Sequence, residues 1–238
     1  MKLRYKGYED GVALVGVDDI DGELAIPEIA EGRAVVRIER GALAGCRTLK
    51  SVSIPDSVRS IGEGAFSGCD NLSEVHISDI VSWCNIEFED IGSNPIYFAT
   101  FVYIGGELIT ELDIPSSVQR IAPLAFYGFF DLENVRIPEG VREIGARAFD
   151  MCLALVSVRL PDGIQRIERM CFSGCDNLSE VSIPLSVRCI DEEAFDSCFS
   201  LSDIYYLGSA EDWERVEIAE GNECLADATI HFAFGEKS

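Results

Sequence analysis

Cationic side chains are scarce: 19 Lys and Arg stand against 42 Asp and Glu in 238 residues, a formal charge of −23 with both His neutral. So acidic a chain is unsuited to nucleic acid or to anionic membrane, which select basic surfaces. No apolar run approaches the roughly 18 residues of a membrane span; the longest is the short stretch around Ile96 to Ile104. Histidine occurs twice, at His76 and His231, which stand isolated in the sequence. Neither lies in an H-E-x-x-H pattern, and no G-x-S-x-G, phosphate-binding loop or dinucleotide fingerprint accompanies them, so no enzymatic activity is expected. The start, MKLRYKGYEDGVALVGVDDIDG, places Glu9, Asp10, Asp18 and Asp19 where a secretory signal is apolar, and as written the expected compartment is the cytoplasm. The chain is not disordered, because 47% of its residues are hydrophobic.

Nine cysteines are present, an odd number that cannot pair completely within one chain. A chain with this much apolar material does not need disulfides, and reduced thiols are the simple reading. The tightest pair, Cys171-x3-Cys175, lacks the spacing of a zinc site; no D-x-D-x-D-G loop is present, and neither metal nor cofactor is expected.

Repetition is what the sequence does have. Ile-Pro or Leu-Pro recurs at Ile54-Pro55, Ile114-Pro115, Ile137-Pro138, Leu160-Pro161 and Ile183-Pro184, the last four at 23-residue spacing. IPDSVRSIGEGAFSGCDNLSEVHI returns in four variants under the pattern I-P-x2-V-x2-I-x3-A-F-x2-C-x2-L-x2-V-x. Its apolar columns hold Val58, Val118, Val141, Ile164 and Val187, or Phe66, Phe126, Phe149, Phe172 and Phe195. A unit this short cannot bury such side chains alone, so the copies must stack into a solenoid. Period-two alternation in Leu72 to Ile77 reads as one short strand per coil, and together these strands form one parallel sheet. Ile61 to Phe66 suits a tight turn with one helical or 3₁₀ turn, making the fold class an α/β repeat solenoid.

The unit resembles that of the BspA-like leucine-rich repeats, with their Ile-Pro, Ile-Gly, Ala-Phe, Cys, Leu and Val-x-Ile signature of about 23 residues. The resemblance spans nearly the whole chain and implies a right-handed leucine-rich-repeat superhelix without a catalytic motif. It also implies, as the alternative to a cytoplasmic scaffold, a secreted or cell-surface protein that binds host proteins such as fibronectin and fibrinogen. A third reading is a structural repeat module without a dedicated ligand.

The expected organisation is a single solenoid over 1–238. Within it, 1–45 form a hairpin cap and stretched first unit, 46–78 regular repeats, 79–113 a Trp-containing variant with a Gly105-Gly106 hairpin, 114–206 four regular repeats, and 207–238 a second variant and cap. Ile26-Pro27 to Ile54-Pro55 spans 28 residues, five beyond the standard 23, with the excess near Ala30 to Val35. The two variants align as Trp83 with Trp213, Asn94 with Asn222, Ala99 with Ala228, Phe101 with Ile230 and Tyr103 with Phe232. Ser209, with Asp212 three residues on, stands before Trp213 as the N-cap of a short helix should.

Three surface or column features are candidates. Cys46, Cys69, Cys152, Cys175 and Cys198 share a column, with Phe129 in the same place in another copy, and read as a small-residue core ladder. Arg59, Arg120, Arg142, Arg166 and Arg188 form a stripe whose alternation over two positions relieves repulsion between coils; it reads as a solvated edge or as a contact for an acidic partner. The outward strand column Ser53, His76, Arg136, Arg159, Ser182 and Tyr205, flanked by Ser51, Glu74, Asn134, Ser157, Glu180 and Asp203, is the preferred protein-binding face. The expected partner is another protein, with no nucleic acid and no membrane insertion, and the chain is expected to be a monomer.

Overall fold

The structure, a computed structural model, describes residues 2–20 and 22–233. The parts of the cap and of the last variant at residues 1, 21 and 234–238 lie outside the described residues. Two compact units divide the chain, Met1–Ile109 and Thr110–Ser238.

In the first unit the main sheet runs Glu23–Ala25, Ser51–Ile54, Glu74–Ile77 and Phe101–Ile104, all parallel, and ends on the antiparallel strand Glu107–Leu108. Gly105 and Gly106 turn that last hairpin at φ 59° and 90°, the left-handed region that the turn requires and that glycine enters without steric cost. In the second unit the sheet contains Glu111–Asp113, Asn134–Arg136, Ser157–Arg159, Glu180–Ile183, Asp203–Tyr206 and Thr229–Phe232, again all parallel. Alternation along each strand sends valine and isoleucine inward and polar or aromatic side chains outward.

The expectation of one parallel sheet is corrected by a second set of ladders. Ser60–Ile61 lies between Arg33–Ile38 and Glu87–Phe88 in the first unit. In the second, Arg120–Ile121 pairs with Glu143–Ile144, and Arg166–Ile167, Cys189–Ile190 and Glu217–Ile218 form a three-stranded ladder. Two-residue strands are too short to show alternation, which is why the pattern hides them. The hairpin expected near the N-terminus is present as Lys2–Gly7 with Val12–Asp18, but it continues this second ladder through Arg33–Ile38, while Glu23–Ala25 opens the main sheet. The extra residues of the stretched unit make a small hairpin, Ile29–Ala30 with Arg33–Ile38.

The Ala-Phe segment of the regular coils is a chain of linked turns rather than a helical turn. The N–H groups of Ala65, Ser67, Cys69 and Leu72 bond to the carbonyls of Gly62, Gly64, Phe66 and Cys69 at 3.1, 3.0, 3.1 and 2.9 Å. Intervening amides reach the next coil: Arg147 to Arg169, Phe149 to Cys171 and Met151 to Ser173, at 3.0, 2.9 and 2.8 Å. Each coil thus pairs with its neighbour along the turns too, leaving few backbone groups to satisfy elsewhere. Helices do form where the Trp variants depart from the repeat: Ile80–Trp83 capped by Asp79, and Ala210–Trp213 with Ser209 and Asp212 in a capping box. Cys224–Asp227 adds another, and two 3₁₀ turns, Ile91–Ser93 and Pro95–Phe98, follow the first Trp. Among the described residues no helix is long and apolar enough to cross a membrane.

Two ladders fill the core. Phe126, Phe149, Phe172 and Phe195 stack with ring centroids 5.3, 5.6 and 5.5 Å apart and planes within 18°. Beside them, the thiols of Cys152, Cys175, Cys198 and Cys224 donate to the carbonyls of Phe126, Phe149, Phe172 and Phe195 at 3.4, 3.2, 3.2 and 3.1 Å. In the first unit Cys69 does the same to Leu43, at 3.2 Å. The cysteine column is therefore a row of coil-to-coil hydrogen bonds, all nine thiols are free, and Cys224 is a member that the repeat pattern did not include.

Candidate protein-binding face

All six residues of the expected face point outward from the main sheets. Ser53 and His76 belong to the first unit; Arg136, Arg159, Ser182 and Tyr205 belong to the second. Parallel pairing sets them abreast, Ser53 beside His76 and Ser182 beside Tyr205, with Glu74 and Asp203 two residues earlier on the strands of His76 and Tyr205. The arginines are not unanswered cations: Arg136 meets Asp113 at 3.1 Å and Arg159 meets Glu139 at 3.6 Å. Between their strands the ladder keeps a single register pair, Asn134 with Ser157, where the neighbouring strand pairs keep three or four. An open depression of about 680 Å³ lies there, lined by Glu111, Asp113, Asn134, Arg136, Ser157 and Arg159 among others.

Four further members of the face were not identified from the repeat alone. Phe101 and Tyr103 extend the first sheet's outward columns, and Thr229 and His231 the second's, because Phe101–Ile104 pairs in register with Glu74–Ile77 and Thr229–Phe232 with Asp203–Tyr206. This corrects the alignment of the two Trp variants by one residue: Tyr103 corresponds to His231, and Phe232 points inward. A slip of one residue moves every side chain to the opposite face. The signal that carries the right register was present: Asn94 and Asn222 each precede their strand by seven residues. Both are buried, and Asn222 holds its coil by accepting from Phe195 N–H at 3.0 Å and donating to the carbonyls of Asp191 and Ala219 at 2.9 Å.

The histidines are consequently not isolated. His76 stacks on Tyr103 at 4.6 Å and 10°, and His231 stacks on Tyr205 at 4.7 Å and 15°. His76 Nε2 is 3.4 Å from Glu74, and His231 Nε2 is 2.7 Å from Asp203, a bond that holds the Asp203 carboxyl below its ordinary range.

The Arg stripe is largely occupied in holding the fold. Arg120 pairs with its register partner Glu143 at 3.0 Å, and Arg166 pairs with Asp191. Arg142 donates to the carbonyls of Glu139 and Asp162 at 2.6 and 3.0 Å, and Arg188 to those of Leu185 and Val187. Arg59 lines an open pocket of about 630 Å³ with Asp10, Arg37, Asp56 and Glu87. No group of three or more His, Cys, Asp or Glu suited to a metal occurs among the described residues.

Stacked coils with inward Val, Ile, Phe and Cys columns and an outward parallel sheet define a leucine-rich-repeat solenoid. The chain belongs to the BspA-type leucine-rich-repeat family, whose repeat matches in six copies over residues 25–91 and 95–215. Similar solved structures are bacterial repeat proteins. The *T. pallidum* leucine-rich-repeat protein TpLRR is 27% identical, with 84% of this chain and 87% of that one covered, at a TM-score of 0.55. A leucine-rich-repeat protein from *Bacteroides ovatus* is 19% identical over 98% of this chain and 70% of that one, TM-score 0.49. A leucine-rich cell surface protein from *Faecalibacterium prausnitzii* is 16% identical over 90% and 96%, TM-score 0.42. No curated protein matches the chain.

Proposed function

We propose that the protein is a non-catalytic scaffold that binds another protein through the outward face of its main sheets. The observation that carries this reading is the contrast between the two sides of each strand. Inward positions repeat Val and Ile coil after coil, whereas the outward column runs Ser53, His76, Tyr103 in one unit and Asp113, Arg136, Arg159, Ser182, Tyr205, His231 in the other. Packing dictates none of these outward identities, and Arg and Tyr are the side chains that dominate protein interfaces. The Arg stripe is the weaker candidate because most of its guanidinium groups already serve the fold. The proposal places the chain in a reducing compartment, since the cysteine column uses its S–H groups as donors and oxidation would break that row.

Blocking the face tests the proposal. Asn134→Trp and Ser182→Trp put bulk on the outward columns without touching the core and should lower capture of a saturable partner about tenfold or more, with the unfolding midpoint unchanged. Arg59→Glu, away from this face, should leave capture intact. Capture that survives both Trp variants, or fails only in Arg59→Glu, contradicts the assignment.

A further inference from the structure

We infer that the sheet face carries two arginine-binding slots, one in each unit, which take guanidinium groups from a partner; this rests on the reading of that face as protein-binding. The observation is a recurrence. In the first unit Ser53, His76 and Tyr103 lie abreast on successive strands, with Glu74 two residues before the middle ring and in contact with it; in the second, Ser182, Tyr205 and His231 lie abreast, with Asp203 two residues before the middle ring and bonded to the outer one. In both, a Trp variant supplies the strand of the outer ring, and the chain's two histidines are both consumed in building the stacks. The ring order is His then Tyr in one and Tyr then His in the other, so what recurs is the arrangement rather than a copied segment.

Each arrangement has an unfilled place. One side of the middle ring is covered by the outer ring at 4.6 or 4.7 Å; the strand on its other side presents only a serine, too small to cover it. A flat group laid over that serine continues the stack at the spacing of one strand, about 4.8 Å. The serine hydroxyl, and the lone pairs that Glu74 and Asp203 keep beyond their contacts with His76, His231 and Ser202, would accept hydrogen bonds at its edge. Guanidinium is flat, permanently charged, stacks on aromatic faces and directs its N–H groups outward in the plane, which an ammonium cannot do.

Charge complementarity selects the same occupant. The outward positions of the first unit's main sheet include Glu23 and Glu74 with no Lys or Arg, and Phe101, 41% exposed, offers an apolar wall to the methylenes of an arginine stem. In the second, Glu111, Asp113, Glu180 and Asp203 face two arginines that already have carboxylate partners, and Arg159, abreast of Ser182, is paired with Glu139. An anionic group would meet these carboxylates in a chain of charge −23, and a neutral ring would desolvate the acid without pairing it.

The test is calorimetric titration of the whole chain with a short amidated oligo-arginine peptide in mildly alkaline, low-salt buffer. Two sites per chain are expected, with an oligo-lysine peptide of the same length about tenfold weaker. His76→Ala should weaken one site and Tyr205→Ala the other, each by about tenfold in affinity, while His76→Phe and Tyr205→Phe retain both because the ring face remains. Equal binding of the two peptides, indifference to the Ala variants, or no binding overturns the slots. Such a failure, with partner capture still abolished by Asn134→Trp and Ser182→Trp, leaves the binding face standing and removes only its arginine preference. Ring-dependent peptide binding beside capture that ignores both Trp variants removes instead the assignment of the captured partner to this face.

Discussion

Phe172→Ala is expected to cost about 3–5 kcal/mol of folding stability, the range for an aromatic side chain deleted from a packed core. Phe172 is fully buried and is stacked on both sides, 5.6 Å from Phe149 and 5.5 Å from Phe195. Its loss opens a cavity and interrupts the ring column in the middle, where neither adjoining coil can close the gap without breaking its turn bonds to the other. Phe199 is the internal comparison: it is 82% exposed, and Phe199→Ala should change stability by less than about 0.5 kcal/mol. Urea unfolding of the two variants beside the parent chain reads both values. Equal effects at the two positions would mean that the stacked column is not what holds the coils together.

Thiol reactivity is expected to divide the nine cysteines sharply. Cys69, Cys84, Cys152, Cys171, Cys175 and Cys198 are buried, whereas Cys46, Cys189 and Cys224 are half-buried. Burial pushes the Cys69 and Cys224 thiols up to about 11 and the Cys84 thiol up to about 12, and it raises Cys152, Cys171, Cys175 and Cys198 further. Cys46 and Cys189 are raised less, again chiefly by desolvation. The thiolate is the reacting form, so each two-unit rise in pKa lowers the reactive fraction about a hundredfold before access is considered. Titration with a disulfide reagent at mildly alkaline pH should therefore show Cys46 and Cys189 reacting first, Cys224 more slowly, and the other six only on unfolding. Nine equivalent rates in the native chain would contradict the hydrogen-bonded cysteine row.

The inward half of this molecule was legible in the sequence because one constraint is repeated five times. Val58 and its counterparts, the Phe column and the Cys column must each meet the same neighbour in the next coil, so any copy reports on the others. What escaped has physical causes too. The second ladder uses strands such as Arg120–Ile121, too short for periodicity to register. The turn chain alternates right- and left-handed residues, and the left-handed places are filled by Gly64 and Gly68 in one coil but by Arg147 and Met151 in another, so no residue type marks them. Aligning Ala99 with Ala228, rather than the two buried asparagines, displaces Phe101–Ile104 by one residue against Thr229–Phe232. That single residue concealed Tyr103 and His231 as equivalent members of the face. The Arg stripe shows the opposite limit: its spacing is plain in the sequence, but only coordinates reveal that Arg142 and Arg188 cap backbone carbonyls.

The binding face is tested most directly by hydroxyl-radical footprinting of the chain with a captured partner, reading the oxidation rates of individual aromatic and imidazole side chains. His76, Phe101 and Tyr103 lie on the outward columns of the first unit and Tyr205 and His231 on those of the second; the rings of the unit that holds the partner should be protected as a set, while exposed Phe199 retains its free rate. Unchanged rates at the five rings, with protection appearing at Phe199, would contradict the account.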